Sequence, residues 1–300
     1  MFFNNTLLTS AQIESPYDLV DKNEWTLPKL KELIKDTYDI EVSYLEGPSA
    51  RIISGCPDND TKKVAWIHCM ATRDTNVTLG FRSYQEAAKA YRRFDRVVCV
   101  SKTAESAFRA VFPEAADTAV LYNTNESETI RQRAEEPLET GFPADRLNLI
   151  STGKLVPIKG FDRLLRVHAR LRSDGYPVHC HILGDGELRP ELEQLAKTLG
   201  EQESVTFWGY QTNPYRFLAH SDLYVCSSLS EGFSTAATES LIVGTPVCTV
   251  EVSGMKEMLG ENNEWGVVTE NSEEALYQGI KKLLDDPALL AHYKEQAVLR

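Results

Sequence analysis

Short apolar runs alternate with stretches whose apolar residues recur every three or four positions along most of the chain. Runs of the first kind, bounded by Gly, Pro, Asn or Asp, predict buried strands, and the second pattern predicts amphipathic helices. In the first half, strands are expected at 40–45, 64–68 and 96–100, with extended chain at 119–122. Helices are expected at 26–38, from 83 or 84 to 94, at 103–111 and at 126–134, and residues 1–22 carry no clear period. The segment 135–146, with two Pro, one Gly and several charges, reads as a domain boundary. Beyond it the alternation restarts, with strands at 147–152, 178–183, 205–208, 223–226, 247–250 and 267–269. Helices are expected between them at 161–173, 188–199 and 215–219, in the stretch that puts Glu239 one or two turns into a helix, then at 273–284 and 288–300. Strands alternating with helices imply α/β architecture with parallel sheets, in domains 1–140 and 141–300.

One stretch stands out for chemistry: Ser230-Glu231-Gly232-Phe233-Ser234-Thr235, leading to Glu239. It lies between a predicted strand and a predicted helix. Amides of Phe233, Ser234 and Thr235 at a helix start suit a phosphate, because the first N–H groups lack intrahelical acceptors and the dipole is positive there. Glu239, further into the helix, can accept hydrogen bonds from a polyol such as ribose. The plainer alternative is an amphipathic helix with one acidic residue near its start and another on a solvated face.

A second loop, Gly153-Lys154-Leu155-Val156-Pro157-Ile158-Lys159-Gly160, follows the first strand of the second domain. Two lysines there can neutralise a diphosphate, and Gly160 permits close backbone approach. Gly184-Asp185-Gly186 also joins strand to helix, but Arg189 stands where a dinucleotide fingerprint needs its third Gly, so a tight turn is the safer reading. Gly209 and Tyr210, after Trp208, line a base pocket or simply pack. His68 closes a strand, where a histidine is more often structural than catalytic. His179 and His181 share one strand face without a third ligand at metal spacing. Asp58-Asn59-Asp60 reads as a turn, and no metal site is expected.

Composition narrows the class. There are 32 Lys and Arg against 44 Asp and Glu, a net charge of −12, which argues against a nucleic-acid partner. A local cluster of Lys89, Arg92, Arg93 and Arg96 can face a membrane or an anionic substrate, or be an ordinary solvated helix face. The six Cys are scattered without a Cys-x-x-Cys pair, which fits buried free thiols in a reducing compartment. No segment reaches the roughly 18 apolar residues of a membrane span. The expectation is a cytoplasmic protein, with peripheral contact to the inner face of the membrane left open.

Taken together, Gly153-Lys154-Leu155 with Lys159-Gly160, Gly184-Asp185-Gly186, Phe207-Trp208-Gly209 and Glu231-Gly232-Phe233 through Glu239 resemble the family-four retaining glycosyltransferases of GT-B fold, of bacterial polysaccharide or glycoconjugate type. Trp66-Ile67-His68, Val98-Cys99-Val100-Ser101 and Tyr122-Asn123 add first-half landmarks. The resemblance implies two Rossmann-like domains facing a cleft, with a nucleotide-sugar donor held by the second and a glycan or lipid-linked acceptor by the first. It assigns catalytic positions to His68, Lys159 and Glu231. Donor contacts fall on Gly153, Lys154, Lys159, Gly184, Gly209, Tyr210, Glu231, Gly232, Phe233, Ser234, Thr235 and Glu239. No cofactor and no metal are implied, and the transferred group is a hexose from a UDP-type donor.

Two departures from the family are visible. Lys154 stands where the family usually has Arg, keeping the charge and losing the planar fork. The family also opens on a strand and a glycine-rich turn, whereas residues 1–22 contain no Gly, and Arg300 falls inside a helical pattern. Both ends therefore read as trimmed, the first domain as lacking its N-terminal strand, and the chain as binding donor better than it transfers sugar. Competing readings are a sugar-nucleotide epimerase or a phosphorylase of the same architecture, and a nucleotide-sugar-binding partner subunit without catalysis.

Overall fold

A computed structural model describes residues 38–56, 60–73, 77–139 and 141–299. They form two compact units that divide between Tyr122 and Asn123. The expected helix at 26–38, the missing entry strand, and Asp58-Asn59 lie outside the described residues.

The first unit is a parallel sheet of β1 (Ile40–Ser43), β2 (Lys62–Ile67), β3 (Arg96–Cys99) and β4 (Thr118–Val120), in that spatial order. Alternation along β2 sends Lys63, Ala65 and Ile67 to one face. There Ala65 and Ile67 join a core that includes Tyr91 and Phe108. Three helices are described: α1 (Pro48–Gly55), α2 (Tyr84–Tyr91) and α3 (Lys102–Val111). Ser83 and Ser101 cap α2 and α3, accepting from the amides of Glu86 and Ala104 at 3.2 and 3.0 Å. Helix α1 is absent from the sequence expectation, because eight residues between Gly47 and Cys56 are too few to show a period. Strand β1 also departs from it. The run at 40–45 reads as buried, yet Ile40 and Val42 are 54% and 44% exposed while Glu41 and Ser43 are buried.

The second unit carries a six-stranded parallel sheet in the order β10-β9-β8-β5-β6-β7. Its strands are β5 (Leu147–Thr152), β6 (Val178–Leu183), β7 (Val205–Gly209), β8 (Leu223–Cys226), β9 (Val247–Val250) and β10 (Val267–Thr269). Strands β6 and β8 are buried along their whole length, and β8, Leu223-Tyr224-Val225-Cys226, reads as an unbroken apolar run, while β6 carries His179 and His181 between its apolar residues. The helices are α4 (Ser127–Ala134), α5 (Phe161–Ser173), α6 (Arg189–Thr198), α7 (Tyr215–Ala219), α8 (Thr235–Ile242), α9 (Met255–Leu259), α10 (Glu273–Asp285) and α11 (Pro287–Leu299). Sequence placed the domain boundary after α4; the structure puts α4 inside the second unit. There the Arg133 guanidinium lies over the Tyr215 ring at 5.3 Å, and the Arg133 carbonyl accepts from Asn213 at 2.8 Å.

Glycines tie the strand ends together. The Gly153 amide donates to the Leu183 carbonyl at 3.0 Å, and the Gly184 amide to the Gly209 carbonyl at 2.8 Å. Gly184 has φ +128°, and a Cβ there would sit 1.9 Å from the Gly153 carbonyl oxygen. Backbone cannot retreat as a side-chain tip can, so Gly184→Ala is expected to lower unfolding stability by at least about 3 kcal/mol. Gly175→Ala is the control: φ is +91° but nothing lies within 4 Å, leaving backbone strain alone, about 1 kcal/mol. Equal shifts of the urea midpoint in the two variants would contradict this packing role.

Candidate functional site

The order of the second sheet reverses at the pair β5–β8. From β5 the chain builds outward through β6 and β7, and from β8 through β9 and β10. Crevices at the carboxyl ends of strands beside such a switch point are where open α/β sheets bind ligands. The two loops leaving β5 and β8 are the two singled out in the sequence.

The β5 loop runs through Gly153 and Lys154 into a 3₁₀ turn, Pro157–Lys159, and turns into α5 at Gly160. Gly160 has φ +62°, and a Cβ there would meet the Ser227 carbonyl oxygen at 2.3 Å. The sequence reserved this glycine for approach to a ligand; the close approach it allows is to the neighbouring loop. That contact is sealed on both sides, since Leu229 N–H donates to the Ile158 carbonyl at 2.7 Å and the Ser227 hydroxyl donates to the Lys159 carbonyl at 3.1 Å.

Arg163, one turn into α5, fixes the β8 side. It is 6% exposed, and its guanidinium donates to the carbonyls of Ser227 and Ser228 and, at 2.8 Å, to Asn271 Oδ1. A buried charge with all three of its guanidinium nitrogens hydrogen-bonded orders the backbone it touches.

On this frame Lys159 and Glu231 meet. Lys159 Nζ lies 2.7 Å from Glu231 Oε1, and the Ser228 hydroxyl donates to the same oxygen at 2.6 Å. Both side chains are partly covered, at 29% exposure for the lysine and 13% for the glutamate. Lys154, by contrast, is exposed and has no ion-pair partner among the described residues.

Helix α8 begins just beyond. Ser234 is its cap, its hydroxyl accepting from the Ala237 amide at 3.3 Å while its carbonyl accepts from the Thr238 hydroxyl at 3.1 Å. The amides of Thr235 and Ala236 have no intrahelical acceptor, the usual condition for an anion at a helix start. Glu239 is half-buried in α8, and burial raises its carboxyl above the ordinary range. The Tyr215 hydroxyl points at Glu239 Oε1 from 3.5 Å.

The remaining candidates divide. Gly153, Gly184 and Gly209 form the strand-end ladder. Tyr210, directly after it, is 77% exposed. Trp208 packs inward against Phe142, His181 and Phe217. His68 belongs to the first unit, at the end of β2. Its amide donates to Glu46 Oε2 at 3.1 Å, and its ring stands beside Tyr44 at 4.9 Å and Trp66 at 6.3 Å. Burial lowers its pKa, and its Nε2 is buried without a hydrogen-bond partner.

His179 and His181 do gain a third histidine nearby in the core, His168, but the rings bond to Ser204, Thr206, Asn148 and Trp208. Among the described residues no cluster of His, Cys, Asp or Glu is arranged to hold a metal ion. The six cysteines are free thiols, five of them buried. No described helix is long and apolar enough to cross a membrane.

Ser228 and Arg163 were missed in the sequence. Their only signals were a hydroxyl three residues before Glu231 and a lone arginine on the apolar stripe of α5.

This geometry is carried by a sequence with known kin. Residues 132–300 match the family described as glycosyl transferases, group 1. The chain belongs to that family. The match spans the whole second sheet and both loops of the site. Over 183 residues the chain is 36% identical to the N-acetylgalactosamine-N,N'-diacetylbacillosaminyl-diphospho-undecaprenol 4-alpha-N-acetylgalactosaminyltransferase of Campylobacter jejuni, covering 60% of this chain and 48% of that one. It is 28% identical over 206 residues to the lipopolysaccharide core biosynthesis glycosyltransferase LpsD of Rhizobium meliloti, 69% of this chain and 58% of the relative. The chain thus spans about half the length of these curated relatives. Among solved structures, Anabaena HepE in complex with UDP superposes with a TM-score of 0.72 at 19% identity, over 91% of this chain and 76% of that one. At that identity the likeness shows the fold: α/β, GT-B, with two Rossmann-like parallel sheets, as expected.

Proposed function

We propose that the transferase moves a hexose from a UDP-linked donor to a glycan or lipid-linked acceptor, with retention of anomeric configuration and without a metal. The observation that carries this reading is the Lys159–Glu231–Ser228 cluster beside the start of α8, at the carboxyl ends of β5 and β8. A lysine and a helix N-terminus at one sheet edge supply the positive charge that a departing diphosphate needs. Glu239, half-buried and facing Tyr215, is assigned to accept from ribose hydroxyls. The Campylobacter relative is named for a diphospho-undecaprenol acceptor, and HepE was solved with UDP; both support this choice of substrates. His68, with its unpartnered Nε2, is assigned to the sugar being transferred, and Lys154 and Tyr210 to the outer edge of the donor site. The protein is proposed to work at the cytoplasmic face of a membrane, which it meets peripherally.

The test is ligand-dependent melting across a panel of sugar nucleotides, with product analysis for any donor that binds. UDP or its sugar at 100 times its Kd should stabilise the protein by about 2.7 kcal/mol, and Glu239→Ala should lose most of that shift. A wild-type protein indifferent to every nucleotide would reject the reading. A Glu239→Ala variant with an undiminished shift would remove that residue from the site.

A further inference from the structure

We propose that Glu231 is a counter-charge that sets which diphosphates the site accepts. It occupies Lys159, so a bare diphosphate binds weakly. It releases Lys159 only to a diphosphate whose attached sugar offers a hydroxyl to the carboxylate in exchange. This deepens the donor reading above and rests on it for the identity of the sugar nucleotide.

Three features carry it. First, the lysine expected to meet phosphate is already spent. Its ammonium is 2.7 Å from Glu231 Oε1, while the neighbouring Lys154 stands exposed without an ion-pair partner among the described residues. A diphosphate arriving here must draw Lys159 away and then sit beside a carboxylate of its own sign, in a partly covered site where screening by water is reduced.

Second, the glutamate cannot simply leave. Ser228 Oγ holds the same Oε1 at 2.6 Å, and the Ser228 carbonyl is held in turn by Arg163 at 2.7 Å. Glu231 is the more covered partner, and the long lysine stem is the one free to swing. Third, Ser228 and Lys159 both bond Oε1, and Oε2 has no hydrogen-bond partner among the described residues. A sugar hydroxyl donating to the carboxylate compensates for the lysine's departure; a nucleoside diphosphate or pyrophosphate has no such donor at that end. The pair therefore penalises product and inorganic anions relative to donor.

The competing account is an ion pair that only fastens the two loops. The accounts separate on the sign of one measurement. Wild-type protein and Glu231→Gln are titrated with inorganic pyrophosphate, UDP and UDP-glucose by calorimetry. A freed Lys159 is expected to bind pyrophosphate and UDP about tenfold more tightly in Glu231→Gln, a shift of about 1.4 kcal/mol, while the preference for UDP-glucose over UDP narrows. Lys159→Met in the Glu231→Gln background should erase the gain. Pyrophosphate and UDP affinities that are unchanged or weaker in Glu231→Gln would overturn the proposal.

Should Glu231→Gln fail to fold, Glu231→Asp withdraws the carboxylate from Lys159 and must shift pyrophosphate binding in the same direction, by less. Failure of the donor reading looks different. Neither protein would then bind any nucleotide, while pyrophosphate binding still rises in the variant, and the counter-charge would stand for a diphosphate that is not a sugar nucleotide.

Discussion

Lys159→Met is expected to lower kcat/KM for sugar transfer by on the order of 10²–10³-fold, the loss seen when one preorganised group that meets developing charge is removed. The effect should fall mainly on kcat. In the protein as it stands Lys159 is held by Glu231, so its full charge reaches a phosphate only once the pair opens. Its interaction then grows as the sugar–phosphate bond breaks and charge collects on the leaving oxygen, which is the condition for raising rate rather than affinity.

Lys154→Met supplies the comparison. That lysine is exposed, where solvent screens its charge, and a loss of tenfold or less is expected. The substitution at 159 also strands Glu231, a carboxylate only 13% exposed, with Ser228 as its one remaining hydrogen-bond donor among the described residues. A lower melting temperature should accompany the kinetic loss, so rates must be compared where both proteins are folded. Steady-state kinetics on the two variants with one donor decide the matter: equal losses at 154 and 159 would mean that the loop contributes diffuse charge and that the 2.7 Å pair has no special part.

Such a pair is invisible to one-dimensional reading, and the contrast with what was legible is instructive. In the second unit the bounds of β5, β6, β8, β9, β10, α5 and α7 coincide with those expected from apolar runs and their flanking turn residues. Parallel strands covered on both faces leave an unbroken apolar trace, and tight αβ connections leave Gly or Pro at each end. Helix α9, five residues from Met255 to Leu259, was missed for the reason that hid α1: a short helix does not complete enough turns to declare a period.

The loops were recognised as chemistry-bearing, yet the roles of their glycines changed. Gly160 was read as permitting close approach to a ligand and Gly184 as part of a tight turn, and in the structure both pack against backbone, of Ser227 and of Gly153. Nothing in a sequence distinguishes these uses, because both demand the same missing Cβ. Arg163 was hidden for a related reason: a charged residue in an amphipathic helix is placed on the wet face by default, and it is the carbonyls of Ser227 and Ser228 and the Asn271 side chain that explain its burial.

Acidification from pH 7.5 to pH 5 is expected to weaken the second unit by on the order of 4 kcal/mol through two histidines alone, about 2 kcal/mol for each. His168 and His181 are almost wholly buried, and burial pushes both pKa values down to about 3 from an ordinary 6.5. The sign follows from that direction. A group whose folded pKa is depressed favours the folded state when it is neutral. Stability is therefore complete above the unfolded pKa, near 6.5, and drains away as pH falls toward 3, because only the unfolded chain takes up the protons.

The surroundings oppose rescue. His181 stacks on Phe142 at 3.7 Å and on His179 at 4.6 Å, Trp208 donates to its Nδ1 at 3.1 Å, and Asn148 occupies its Nε2 at 3.0 Å. Glu201 comes within 3.7 Å of His168 Nε2, but Ser204 fills that nitrogen at 2.8 Å and Arg172 stands 3.5 Å from the same carboxylate, so little of its charge is left for an imidazolium. Urea midpoints measured between pH 7.5 and pH 5 should fall steeply in the wild type. They should fall far less in a His168→Gln, His181→Gln double variant, whose neutral amides keep hydrogen-bonding capacity without titrating. Parallel curves would assign the acid sensitivity to carboxylates elsewhere and show that the imidazoles are protonated in the folded core.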